Sequence, residues 1–255
     1  MILAPLVTAA LAAVAFLYAA VGHAGASGYI AVLALAGEAP EQIKPIALLL
    51  NLAVAGVGCW NFLRAGHLPW QRLWPLYLLA LPAAFVGGSL QLPVAGFRRL
   101  VGVVLLGSAW RLGTKLQDPA NLRPPDPALL LLAGGSLGLL AGLTGTGGGV
   151  FLTPLLLLCR WCSTRQAAAT SVLFILLNSM AGLAGWLWSR PGGLIGLVSP
   201  GVTGWLLVVL LAGGAGSRLG SRHWPATWIR RCLALVLLLA AFQLLDLGGL
   251  LQPPR

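Results

Sequence analysis

Apolar residues run in long blocks along this chain, broken only by short polar or glycine-rich interruptions. A helix needs about 17–25 residues to cross hydrocarbon. On that scale the first half offers membrane helices at Ile2 to Val21, Pro45 to Leu63, Leu73 to Leu90 and Leu100 to Leu112. The second half repeats the order with Ala128 to Leu143, Ala167 to Trp188, Leu194 to Leu211 and Trp228 to Leu245. Between them lies a hydrophilic connector, Thr114 to Pro127, whose proline, asparagine and charged residues rule out a continuous helix. The chain therefore divides into a first transmembrane repeat, residues 1–113, a connector, 114–127, and a second repeat, 128–255.

In each half the first block runs into a glycine cluster and then a stretch too short to span. Gly22-x-x-Gly25-Ala-Ser-Gly28 leads into Tyr29 to Ala36, and Gly142-x-x-Gly145-Thr-Gly-Gly148 leads into Val150 to Cys159. Asn51 and Asn178 follow, then Gly66 and Gly193, so the spacing marks an internal duplication. An unpaired backbone N–H or C=O in hydrocarbon costs several kcal/mol, so a helix broken at membrane depth implies backbone that is buried in protein or lines a wet cavity. Half-helices starting after Gly28 and Gly148 would present free N–H groups and a partial positive charge, which suits an oxyanion. Close packing through small residues would explain either cluster alone. Two clusters at matching positions favour a solute pathway.

Composition makes lipid the solvent. The residues are 58% hydrophobic and only 8% charged, with a mean hydropathy of +0.91, whereas soluble domains carry about a quarter charged residues. The first block has no charged region before it and is expected to stay in the mature protein instead of acting as a removable signal. A net charge of +11 does not point to nucleic acid, because the basic residues sit in short clusters between apolar blocks.

Those clusters discriminate between topologies, since Lys and Arg accumulate in cytoplasmic loops. Eight full crossings divide the 16 basic residues seven against nine. Hairpins that enter and leave on one face divide them eleven against five, with Arg64, Arg72, Arg111, Lys115, Arg123, Arg160, Arg165, Arg218, Arg222, Arg230 and Arg231 together. That bias favours three crossings per half, inverted repeats and two re-entrant glycine hairpins that meet from opposite faces. Eight crossings remain the other topology the lengths allow.

Asn51, Thr170, Ser171 and Asn178 fall inside apolar blocks, where a polar group must find a partner in the bundle or in a solute. The acidic residues, Glu38, Glu41, Asp118, Asp126 and Asp246, all lie at loops or helix ends, which leaves no carboxylate relay in the membrane. His23 is the ionisable side chain beside the first glycine cluster, a candidate proton or substrate contact unless it serves only as a structural hydrogen-bond partner. Cys159-Arg-Trp-Cys162 lacks the second pair that a zinc site needs. Gly25-Ala-Ser27-Gly28 looks like the rhomboid protease motif, but the serine lies in the first block and its duplicate position holds Gly147. Gly145 to Gly149 lacks the Lys-Ser/Thr ending of a nucleotide loop.

The second glycine motif, Gly142-Leu-Thr-Gly-Thr-Gly-Gly-Gly149 with Pro154 after it, resembles the TauE/SafE family of bacterial membrane transporters. Val21-Gly-His-Ala-Gly-Ala-Ser-Gly-Tyr29, Lys44-Pro-Ile-Ala-Leu-Leu-Leu-Asn51 and Ala65-Gly-His-Leu68 extend the likeness through the first half. The stretch Cys159 to Gln166 departs from it, being longer than its first-half equivalent. The resemblance implies export or uptake of small anions, chiefly sulfite and organosulfonates. The expectation is an all-α, polytopic carrier of the bacterial inner membrane, not an enzyme, needing no cofactor or metal, with lipid and a small anionic solute as partners. Its midplane anion site would use Gly25, Ser27, Gly28, Gly145, Thr146, Gly147 and Gly148, with Asn51, Thr170, Ser171 and Asn178 completing the cage. A structural membrane protein, the competing class, would have a dry, filled interior there.

Overall fold

The computed structural model describes residues 3–90, 105–107, 109–110, 113–114, 118, 121–190, 193 and 200–245. Among these residues the regular structure is helical, with no strand. The helices are α1 (Leu3–Ala20), α2 (Ala26–Leu35), α3 (Pro40–Arg64), α4 (Trp70–Ser89), α5 (Pro127–Thr144), α6 (Gly149–Leu158), α7 (Thr164–Ser189), α8 (Pro200–Arg222) and α9 (Ala226–Leu244). Much of the block Leu100 to Leu112, part of the connector and the start of the block Leu194 to Leu211 lie outside the described residues.

Among the described residues four helices are long and apolar enough to cross a membrane: Glu41–Arg64 within α3, then α5, α7 and α8. Helix α4 has the length, but its first turn is Trp-Gln-Arg and it carries Pro75 and Pro82. Leu132, Leu207, Leu211 and Leu239 are exposed on the outer surface, where hydrocarbon can cover them at no cost in unpaired backbone. Together these features make the chain a multi-pass membrane protein.

Helix α8 differs from its sequence-based bounds. It runs on past Leu211 through Gly213, Gly214 and Gly216 to Arg222. The glycines are contact points, not breakers: a Cβ on Gly216 or Gly220 would overlap the carbonyls of Phe16 and Ala20. Small residues let membrane helices approach to backbone contact. Helix α5 uses the same device, with Gly134, Gly138 and Gly142 set against the backbones of Leu76, Ala80 and Ala84. These ordered contacts mean that α8 runs parallel to α1 and α5 runs parallel to α4.

Helices α3 and α7 are the most enclosed of the four spanning candidates and pack against each other. Gly58 lies beside Val172 and Leu48 beside Gly182, so the two run antiparallel. Where α7 begins, Ser163 and Gln166 form a reciprocal capping box. Beside it the buried Arg230 donates from Nε to Thr164 Oγ1 at 2.7 Å and from Nη2 to Asp118 Oδ1 at 3.1 Å, while Thr164 donates to the same carboxylate. Asp118 thereby ties the connector to the starts of α7 and α9.

Candidate functional site

Two interruptions face the α3–α7 pair, each bounded by left-handed glycines, and the second holds a further one, Gly147 at φ 72°. Helix α1 is followed two residues on by Gly22 at φ 79°, and α2 begins after Gly25 at φ 102°. Helix α5 ends in Gly145 at φ 74°, and α6 begins after Gly148 at φ 80°. The left-handed region is open to glycine without a Cβ clash. Each half-helix also ends in a left-handed residue, Gly37 in one case and Arg160, at φ 59°, in the other. Conformation thus pairs Gly22 with Gly145 and Gly25 with Gly148, three residues away from the register that spacing suggests. Gly28 is accordingly not the structural counterpart of Gly148: it lies inside α2 against Val14.

Neither N-cap glycine offers a side-chain hydrogen bond, so the leading N–H groups of both half-helices have no side-chain cap. Around these two ends lie buried polar side chains in two groups. In one, His23 Nε2 and Thr153 Oγ1 are 3.3 Å apart, and Thr153 donates to Ser171 Oγ at 2.6 Å. In the other, Asn51 Nδ2 donates to the Thr146 carbonyl and to Ser179 Oγ, each at 3.4 Å. Thr146 and Thr144 share a hydroxyl contact of 2.8 Å. Ser171 and Ser179 sit on the same helix, so the groups are separated by about 12 Å along its axis.

Several buried polar atoms in this region have no protein partner: Asn51 Oδ1, Tyr29 OH, and both Oδ1 and Nδ2 of Asn178. Asn51 is 0% and Asn178 1% exposed. A buried polar atom left unbonded costs about 1–3 kcal/mol, so these atoms mark a place where water or a bound solute would supply the missing bonds. The unpaired groups include both a carbonyl-type acceptor and an amide donor, sitting beside uncapped helix ends.

The structure brings most, not all, of the sequence candidates together. His23, Asn51, Thr146, Ser171 and Asn178 belong to the buried polar region. Gly147 is pressed against Asn51 and Ser179, where an added Cβ would lie 2.7 Å from Asn51 Nδ2. Gly148 faces Phe174 and Ala141, and Gly145 faces Lys44. Gly25 faces the Tyr29 ring. Ser27 is spent on Tyr18, with their hydroxyls 3.0 Å apart. With His23 bonded to Thr153 instead, the Gly-Ala-Ser-Gly run is not arranged as a serine–histidine pair. Thr170 turns its hydroxyl back to the Gln166 carbonyl at 2.8 Å and lends its own carbonyl to Tyr77.

Four contributors escaped the sequence reading. Thr153 and Ser179 are single hydroxyls in apolar helices, flagged only by their neighbours Pro154 and Asn178. Tyr29 opens an apolar stretch that masks its hydroxyl. Lys44 donates to the carbonyls of Gly87 and Gly88, at 3.4 and 3.2 Å, near the far end of α4. The sequence marks it only through the motif Lys44 to Asn51, although it is one of two lysines in the chain.

The family model described as sulfite exporter TauE/SafE matches residues 6–244. A probable membrane transporter protein of Sinorhizobium fredii is 39% identical over 91% of this chain and 94% of its own length. A probable membrane transporter protein of Methanocaldococcus jannaschii is 26% identical over 51% of this chain and 49% of its own. No solved structure matches the chain. A multi-pass helical protein with two glycine interruptions, matched by the family model over nearly its whole length, belongs to the sulfite exporter TauE/SafE family.

Proposed function

We propose that the protein is a secondary transporter of a small anion, sulfite or an organosulfonate, in the bacterial inner membrane, working by alternating access around the buried polar region. The observation that carries this reading is the set of unpartnered polar atoms on Asn51 and Asn178 beside two uncapped half-helix starts. The unpartnered donors are Asn178 Nδ2 and the Tyr29 hydroxyl, with the uncapped half-helix N–H groups beside them, and no Asp or Glu is among the buried polar residues described. Those donors suit an oxyanion, and the two unpartnered amide oxygens of Asn51 and Asn178 would accept from water or from a hydroxyl on a protonated anion. The family's description and the names of its two relatives support transport and, at family level, sulfite.

Helix order supports inverted repeats with re-entrant hairpins. Gly22 lies against Ala168 near the start of α7, whereas Gly145 lies against Lys44 near the start of α3. Because α3 and α7 are antiparallel, the two breaks approach from opposite faces, the arrangement in which transporters rock one repeat against the other. The pairing of α1 with α8 and of α5 with α4 has the symmetry such repeats require. Burial of His23, Asn51 and Asn178 then corresponds to an occluded state, and a purely structural role leaves the cost of the Asn178 amide without a return.

Thermal unfolding of the purified protein against sulfite, sulfoacetate, acetate and chloride tests the assignment. A ligand at 100 times its Kd adds about 2.7 kcal/mol of stability, so one anion of the panel is expected to raise the Tm in a concentration-dependent way. That rise should vanish in Asn178→Leu. A flat response to every anion would refute the anion site.

A further inference from the structure

Where α4 and α7 begin, a cavity of about 630 Å3 opens, with Trp70, Gln71, Arg72, Leu122 and Gln166 in its lining. It lies on the face that gathers Arg72, Arg123, Arg160 and Arg165: the backbones of Arg123 and Arg160 bond to each other there, and Arg165 holds the Trp224 carbonyl at 3.0 Å. The central polar region lies deeper, and aromatic rings stand between the two. Trp70 stacks on Tyr77 with centroids 5.5 Å apart and planes at 18°. The Tyr77 hydroxyl donates to the Thr170 carbonyl at 3.2 Å. Phe174 follows, its ring 6.2 Å from that of Tyr77. Phe174 in turn fills the space beside Gly148, where an added Cβ would lie 2.8 Å from its ring.

Gln166, Thr170, Phe174 and Asn178 recur every fourth residue, so they occupy successive turns of α7. The series leads from the cavity wall, past the carbonyl that holds Tyr77 and the ring beside the glycine break, to the unpartnered Asn178 amide, about 18 Å along the axis. A planar guanidinium with two carboxamides nearby matches the oxygens of a sulfonate or sulfite. The surrounding arginines raise the local anion concentration. One neutral hydrogen bond, worth about 1 kcal/mol, holds the tyrosine hydroxyl, so its displacement is modest beside a rearrangement of whole helices.

We infer that this cavity is a loading site for a small oxyanion, held by Arg72 with Gln71 and Gln166, and that Tyr77 and Phe174 close it off from the central polar region. The anion assignment rests on the proposed transport function; the closure does not.

The test places a reporter cysteine at Gln166 or at Asn178 in full-length protein whose four native cysteines are replaced by alanine, in membrane vesicles of known orientation. A membrane-impermeant thiol reagent is expected to modify Gln166→Cys rapidly from the arginine-rich face and Asn178→Cys at least tenfold more slowly. Adding Tyr77→Ala should raise the rate at Asn178→Cys about tenfold, and Tyr77→Phe, which keeps the ring, should raise it less. Sulfoacetate should slow modification of a cysteine placed instead at Leu122, a lining residue that is not a ligand, and Arg72→Gln should remove that protection. An unchanged rate at Asn178→Cys in a correctly folded Tyr77→Ala protein would overturn the closure, even if sulfoacetate protects. Intact closure without protection by sulfoacetate or sulfate would overturn the anion loading site and leave the rings as a barrier on some other solute's path.

Discussion

Asn178→Leu is expected to abolish sulfite flux in proteoliposomes, by at least tenfold, while making the protein more stable. The asparagine is 1% exposed and neither amide atom has a partner. Leucine has similar volume and nothing to satisfy, so it relieves a desolvation cost of about 1–3 kcal/mol. A gain of about 1–2 kcal/mol corresponds to roughly 2–8 °C in Tm for a chain of this size. Stability bought at the expense of activity is the usual signature of a residue kept for binding. Loss of stability with flux retained would instead assign the amide to the bundle.

The second large effect concerns packing. Gly134→Ala is expected to destabilise by about 3 kcal/mol and Gly135→Ala, its neighbour on the same helix, to be neutral or stabilising. A Cβ on Gly134 would overlap the Leu76 carbonyl, and the two helices cannot repack around backbone atoms. Because α5 meets α4 at Gly138 and Gly142 as well, displacing one contact loosens all three. On Gly135 the new methyl would meet only Leu79, with its Cβ 3.5 Å away, and alanine gains up to about 1 kcal/mol over glycine within a helix. Thermal unfolding of the two variants side by side separates the cases.

Much of this architecture is visible in the sequence because the bilayer restricts what an apolar block can become. The blocks ending at Leu63, Leu143 and Trp188 appear as α3, α5 and α7 within a residue or a few. The short stretches after the glycine clusters are likewise helices of ten residues each. What misled was glycine, which carries two messages. At 213, 216 and 220 it marks contact between continuous helices, whereas at 22, 25, 145 and 148 it marks left-handed backbone. Spacing alone cannot tell one from the other, and it therefore aligned the halves three residues out of register. Dihedral angles resolve this at once, and they also reveal Arg160 as the partner of Gly37.

The buried polar region of the candidate site was legible where a polar residue stood out in an apolar helix, as with Asn51, Ser171 and Asn178. It was not legible where a hydroxyl is called in by a distant segment. Thr153 meets His23 across 130 residues of chain, and Asn51 meets Ser179 across 128. Thr170 and Ser27 were equally good candidates by type, but the first bonds its own helix and the second the Tyr18 hydroxyl of the preceding one.

Sulfite movement through liposomes containing the purified protein tests the central claim most directly. The account predicts saturable, protein-dependent flux that organosulfonates compete with and that disappears in Asn178→Leu. Flux through Asn178→Leu equal to that of the unaltered protein, or no flux of any small anion above that of empty liposomes, would contradict it.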